Sequence, residues 1–222
     1  MTANTLKAPF TAQLLAPFIT IEGGEGAGKS TLITALCQWM SARTIPHVAT
    51  YEPGGTPIAC ALRAIFKLKS QEELTMEAEV LVISAARAQH VQHKILPALT
   101  HGQWVICDRF ADSSQVYQSR LGGLPADYVQ MVIDRTTFGL VPHLTLYLDC
   151  PPKIAQARIA SDHRSSKDRY DHADQDFHHK LRQAYQDLAR QEPKRIVTLD
   201  ASVKQEAVLA AATAVICERF EL

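Results

Sequence analysis

The chain has 222 residues, 46% of them hydrophobic, which is enough to bury a sizeable core and short enough for a single α/β domain. Lys and Arg number 23 and Asp and Glu 23, so no global field draws the chain to nucleic acid or to an anionic membrane, and any anion site must be local. Cys37, Cys60, Cys107, Cys150 and Cys217 are widely spaced with no C-x-x-C pair, and they read as reduced, mostly buried thiols of a cytoplasmic protein.

The opening MTANTLKAPFTAQLLAPF is interrupted by Pro9 and Pro17 and does not read as a signal peptide; no stretch reaches the roughly 18 uninterrupted apolar residues of a membrane span. Residues 1–17 read as an N-terminal extension and 18–222 as one domain. Short β-type runs at 18–22, 47–51, 104–108, 144–149 and 195–199 alternate with helical patterns at 29–41, 56–67, 75–99, 127–137, 152–160, 174–190 and 203–219. That alternation predicts a five-stranded parallel sheet with helices on both faces. Pro57 and Pro152 fall in first turns, where a missing N–H costs little. His163, His172, His178 and His179 lack metal-ligand spacing and read as a solvated polar face.

The first strand runs into GGEGAGKS, which has the G-x-x-x-x-G-K-S spacing of a phosphate-binding loop from Gly23 to Ser30, and a helix pattern starts directly after it. The backbone of Gly23, Gly24, Glu25, Gly26, Ala27 and Gly28, with Thr31 just beyond, would wrap the phosphates of a nucleoside triphosphate, helped by the positive end of the helix. Lys29 would neutralise the β- and γ-phosphates and Ser30 would hold a magnesium ion. The strand WVICD ends in Asp108, a second candidate for orienting that ion, and Arg109 follows at once. Together with Arg63, Arg87, Arg158, Arg164 and Arg169, the cations exceed what one triphosphate requires, and a second phosphorylated ligand accounts for them. The stretch SDHRSSKDRYD, 161–171, has no aliphatic residue; it reads either as a solvated loop or as a short basic lid that closes on phosphate.

EGGEGAGKS, EPGGT, AEVLVISAARAQ, ILPAL, VICDRFADSSQVYQ and LTLYLD follow one another in an order that resembles the bacterial thymidylate kinases, over nearly the whole chain from Phe18 onward. The resemblance implies the P-loop nucleoside monophosphate kinase fold and transfer of the γ-phosphoryl of ATP, with magnesium, to dTMP, giving dTDP and ADP. It implies a catalytic set of Lys29, Arg109, Glu25 and the arginines Arg158, Arg164 and Arg169 in and beside the lid. By the same matching, Arg109 grips the acceptor phosphate, Arg87 reaches the thymine carbonyl, and Glu25 touches the sugar 3′-hydroxyl. Ser114, Tyr117 and Gln118 line the nucleoside pocket with Glu52, Pro53 and Arg63, Tyr117 crowding the position of a ribose 2′-hydroxyl. The resemblance also implies a homodimer packed through the AEVLVISAARAQH helix.

Two positions depart from the family pattern. Tyr51 stands where an arginine usually precedes EPGGT, and Ile83 stands where a phenylalanine usually stacks on the base. An enzyme acting on another, or on several, pyrimidine nucleoside monophosphates therefore stays open, as does a nucleotide-dependent binding protein without phosphoryl transfer.

Overall fold

The computed structural model describes residues 15–68, 71–161 and 175–222. Five strands form one fully parallel sheet in the order β2-β3-β1-β4-β5: β1 (Phe18–Glu22), β2 (His47–Tyr51), β3 (Trp104–Asp108), β4 (Leu144–Asp149) and β5 (Ile196–Asp200). The last strand begins one residue later than expected, because the Arg195 N–H is held in a turn by the Glu192 carbonyl at 3.0 Å; its guanidinium meets both carboxylate oxygens of Asp112, 2.7 Å from each. In the middle strand, Phe18, Ile19 and Ile21 are buried, as a strand covered on both faces requires.

The chain leaves β1 through α1 (Lys29–Ser41), skips past β3 to form β2, returns to β3 and then crosses to β4 on the other side of β1. Winding that reverses beside β1 opens a crevice at the carboxyl ends of β1 and β3, the place where open α/β sheets bind ligands. Glu22, Asp108 and Asp149 are the terminal residues of their strands at that edge.

One core cluster packs Ile19, Ile21, Ile106, Leu144 and Leu146 of the sheet under Leu32, Leu36 and Met40 of α1 and Ala212 and Ile216 of α9 (Gln205–Phe220). The opposite face packs Phe18, Val105 and Phe110 with Val91, Ile95 and Leu99, and Ala16 joins this second cluster. Leu181, Tyr185 and Leu188 of α8 (Gln175–Gln191) cover β4 and β5 through Tyr147 and Ile196.

Helices α2 (Pro57–Phe66), α6 (Ala126–Thr137) and α7 (Pro152–Ser161) fall within a residue or two of their expected spans. The pattern read as one helix over 75–99 is instead α3 (Met76–His90), a π-helical turn at Val91–Ile95 and α4 (Leu96–Thr100). Pro97 has no N–H and its ring crowds the carbonyl of His93, so the turn ahead of it widens. A helical segment absent from the sequence reading follows β3: α5 (Ala111–Ser114) runs into a π-helical stretch, Gln115–Leu121. Its polar residues hid the period, since Asp112, Ser114, Gln118 and Ser119 are buried rather than facing water.

Two further expectations are corrected. His178 is buried under the sheet cover, so the histidines do not form one solvated face. Of the five free cysteines only Cys107 and Cys150 are buried, and Cys60 is exposed. Among the described residues no helix is long and apolar enough to cross a membrane.

Candidate active site

Helices α2 and α3 begin with side-chain caps, Thr56 accepting from the Ala59 N–H at 3.3 Å and Thr75 from the Ala78 N–H at 3.2 Å. By contrast, α1 begins at Gly28 with no side-chain cap, and its first-turn N–H groups face the loop, ready for an anion. The loop lies close under α7: Gly26 has φ +73°, and a Cβ there would stand 2.4 Å from the Ala155 carbonyl oxygen. Only glycine fits both the left-handed backbone and that contact.

The buried Lys29 amine donates to the carbonyls of Gly23 at 3.0 Å and Gly24 at 2.9 Å, so it is held across the loop. Burial, and then the charge of Arg109, push its pKa below the usual lysine range, against the pull of Asp108, Glu25 and Glu22. Thus Gly23 and Gly24 serve the lysine, while Gly26, Ala27, Gly28, Lys29, Ser30 and Thr31 line a cavity of about 850 Å³. Arg158 lies at its edge and donates to the Cys150 thiol sulfur at 3.7 Å. Arg164, Arg169 and the expected lid beyond Ser161 lie outside the described residues.

Beside this cavity is a smaller one of about 90 Å³. Every residue that sequence reasoning assigned to the acceptor lines it: Glu25, Glu52, Pro53, Arg63, Ile83, Arg87, Arg109, Ser114, Tyr117 and Gln118. Phe66, Phe110 and Ser113 line it too. Glu25, Glu52, Arg63 and Arg109 border both cavities, so the two open onto each other. Tyr51 borders only the larger; its hydroxyl lies 3.5 Å from the Cys60 sulfur, and the Arg63 guanidinium sits over its ring at 5.5 Å.

At the junction, Arg109 has φ +66° and donates to Glu25 at 2.6 Å. Tyr117 donates to the two oxygens of the same carboxylate at 3.0 and 3.1 Å. Burial works to raise the Glu25 pKa, yet the charges of Arg109 and Lys29 and these hydrogen bonds outweigh it and hold the carboxyl below its usual range. Glu25 is therefore an anion placed between two cations, able to accept from a neighbouring hydroxyl.

The wall of the smaller cavity is a buried ion pair. Arg87, 1% exposed, donates through Nε to Glu52 at 2.7 Å and through Nη2 to the Phe110 carbonyl and the Ser114 hydroxyl at 3.1 and 3.0 Å. The other oxygen of Glu52 lies 3.1 Å from His90 Nδ1, and His90 Nε2 lies 2.7 Å from the Thr50 hydroxyl. Gly55 permits this packing, since a Cβ there would meet the His90 ring at 2.4 Å. Arg87 Nη1 is buried and makes no hydrogen bond, which leaves a donor for a carbonyl.

Asp108 Oδ1 is likewise buried without a partner, and Ser30 is exposed at the head of the uncapped helix. Among the described residues no three His, Cys, Asp or Glu side chains gather as a metal cage. One carboxylate and one hydroxyl beside a phosphate site suit magnesium, which takes most of its ligands from phosphates and water.

Sequence reasoning missed Glu22, Ser113 and Tyr185. Glu22 is 1% exposed and accepts from the Phe110 N–H and the Ser113 hydroxyl, each at 2.7 Å, and from the Tyr185 hydroxyl at 3.0 Å. Burial, then the nearby charge of Asp112, raise its pKa to about 7. A carboxylate closing the apolar run FITI was the signal available; nothing in the sequence links Tyr185 to it across 163 positions.

A family profile described as "Thymidylate kinase" matches residues 21–212. Proteins named thymidylate kinase are similar to this chain: one from Symbiobacterium thermophilum is 42% identical over 194 residues, covering 87% of this chain and 89% of the relative. One from Nitrobacter hamburgensis is 43% identical over 218 residues, covering 97% and 94%. A crystal structure of thymidylate kinase from Ehrlichia chaffeensis superposes with a TM-score of 0.72 at 25% identity, over 90% of this chain and 98% of that one.

Proposed function

The chain belongs to the thymidylate kinase family and carries out ATP-dependent phosphorylation of dTMP; from that premise we propose how its own residues divide the work. The larger cavity takes ATP and the smaller takes dTMP. The observation that carries this is their junction, where Glu25 and Arg109 border both cavities. A phosphoryl group passing from one ligand to the other crosses that point.

The dTMP phosphate needs no strong general base, since a monoester with a second pKa of about 6 is already largely dianionic near neutrality. The obstacle is repulsion between two polyanions, so catalysis comes from position and from charge aimed at the transferring group. Lys29 moves from the loop carbonyls to the phosphates, and Arg109 meets the acceptor phosphate. Arg158 extends the positive edge on the ATP side, and the basic segment 161–171 acts as a lid. Magnesium held by Ser30 and Asp108 offsets phosphate charge when bound.

Arg87 Nη1 donates to the thymine carbonyl, while Ile83 and Phe66 cover the ring; Glu25 accepts from the sugar 3′-hydroxyl and Tyr117 fills the space of a 2′-hydroxyl. We further assign a homodimer, supported by the exposed Leu81 on α3 and the exposed Ile58 and Ile65 on α2, a helix that packs against α3, and a cytoplasmic setting. Sedimentation tests the dimer.

The decisive experiment is a coupled assay over a panel of nucleoside monophosphates with ATP. dTMP is turned over best, and Arg87→Ala loses that preference. Equal efficiency with dCMP, or a preference that survives in Arg87→Ala, refutes the base assignment.

A further inference from the structure

Glu22 lines neither cavity, yet it is tied to Arg109, one of the four residues that border both. It is the last residue of β1, and its side chain reaches the turn after β3. There Arg109 adopts the left-handed φ of +66°, a conformation that an arginine adopts only when its surroundings hold it. Two consecutive residues of β1 clamp it: the Arg109 N–H donates to the Ile21 carbonyl at 3.0 Å, and the next N–H, of Phe110, donates to Glu22 Oε1 at 2.7 Å.

The second oxygen, Oε2, accepts from the hydroxyls of Ser113 and Tyr185. A hydroxyl has one proton and two lone pairs. When both protons point at the carboxylate, what the two hydroxyls present to their other neighbour is lone pairs. That neighbour is Arg109, whose Nη1 donates to Ser113 Oγ and to Tyr185 Oη, each at 3.2 Å. The two hydroxyls are 3.0 Å apart and could share a proton between themselves, but once Glu22 is ionised, above about pH 7, its carboxylate in a dry site is the stronger acceptor and takes it. A neutral or missing group at this position frees the hydroxyl protons to turn towards the guanidinium, where they repel it.

Resting on the reading that Arg109 meets the acceptor phosphate, we infer that Glu22 is a positioning residue for that arginine: it clamps the backbone beside it and orients Ser113 and Tyr185 to receive its guanidinium. The role is distinct from that of Glu25, which meets the other nitrogen of the same guanidinium and faces the ligands.

Glu22→Gln tests this with little change of shape. Either its NH2 faces the two hydroxyls and reverses them, or it faces the Phe110 N–H and opens the clamp. At pH 8, where Glu22 is ionised, the KM for dTMP rises by about tenfold or more, as displacement of a substrate-positioning group does, while the KM for ATP changes by less than about twofold. The double variant Ser113→Ala, Tyr185→Phe keeps the buried carboxylate but removes the hydroxyls, and it raises the KM for dTMP on its own. Adding Glu22→Gln to it costs clearly less than in the wild-type background, because the route through the hydroxyls is already gone. The proposal is overturned if Glu22→Gln leaves the KM for dTMP unchanged or raises both KM values alike, and its hydroxyl route is overturned if Glu22→Gln adds its full effect in the double variant. If Glu22→Gln does not fold, an unchanged KM for dTMP in the double variant overturns it instead. Arg109→Ala with a wild-type KM for dTMP would remove the premise, a failure distinguishable from the others because it leaves Glu22 untouched.

Discussion

Removing the charge of Glu52 without its shape should unfold this protein more readily than any comparable change on its surface. Glu52 and Arg87 form an ion pair at 2.7 Å, with side chains 2% and 1% exposed. Water cannot replace a lost partner there, so the cost of Glu52→Gln is that of a buried guanidinium left without its anion. Breaking a buried pair from one side costs about 3–5 kcal/mol; Glu52→Gln keeps one hydrogen bond and belongs near the lower end, Glu52→Ala near the upper. For a domain of this size that is roughly 6–20 °C in Tm. Urea denaturation without nucleotide measures it, with circular dichroism as the probe. The second arm is Arg87→Met in the Glu52→Gln background. Taking away the orphaned cation should restore about half of the lost stability or more. It should not restore dTMP binding, because Nη1, the buried donor with no partner, is gone. A loss below about 1 kcal/mol for Glu52→Gln, or additive losses in the double variant, would refute the reasoning, since a pair acting across water has that signature.

Lys29→Ala should lower kcat by about 100-fold or more while unfolding cooperatively within about 2 kcal/mol of wild type, its folded-state bonds being two loop carbonyls. Stopped-turnover assays and denaturation check the two halves, and wild-type kcat would remove the phosphate loop from the chemistry. Ile83→Phe should tighten dTMP binding by about threefold to tenfold, the gain from ring stacking at a position that lines the smaller cavity. Unchanged or weaker affinity in calorimetry would show that the cover Phe66 already gives leaves nothing for a second ring to add, or that the ring does not fit. Glu22 has a pKa raised from 4.5 to about 7 in the folded state, so folding favours its protonated form. Its stabilising contribution is complete below about pH 4.5 and is lost as pH rises through 7, by about 3 kcal/mol. The stability of Glu22→Gln relative to wild type should therefore improve between pH 5 and pH 8 by about that amount, and a flat difference would show that Glu22 ionises normally.

Much of the architecture follows from local information. Apolar runs such as FITI and WVIC are too short and too β-branched for helices, and their alternation with periodic segments leaves a parallel sheet as the arrangement that buries both faces. The phosphate loop is equally local, because its glycines, its lysine and the helix it starts are contiguous. Where the chain itself contains the cause, the reading came close, and the strand ends place Asp108 and Arg109 where that reading put them.

What was not legible depends on residues far apart in the chain. No spacing rule joins Glu52 to Arg87 and His90, or Glu22 to Ser113 and Tyr185; each meeting exists because the β1–β3 pairing and the packing of α3 and α8 bring those side chains to one sheet edge. The helical stretch after β3 escaped for the same reason. Its polar residues contradict a local amphipathic pattern, and they are tolerated inside because Glu79, Glu25, Arg87 and Arg195, all from other elements, supply partners. A hydrophobic pattern reports which side of an element faces away from water. It carries no record of which buried polar group will find which other, because that match is made by the packed sheet and helices after the pattern has done its part.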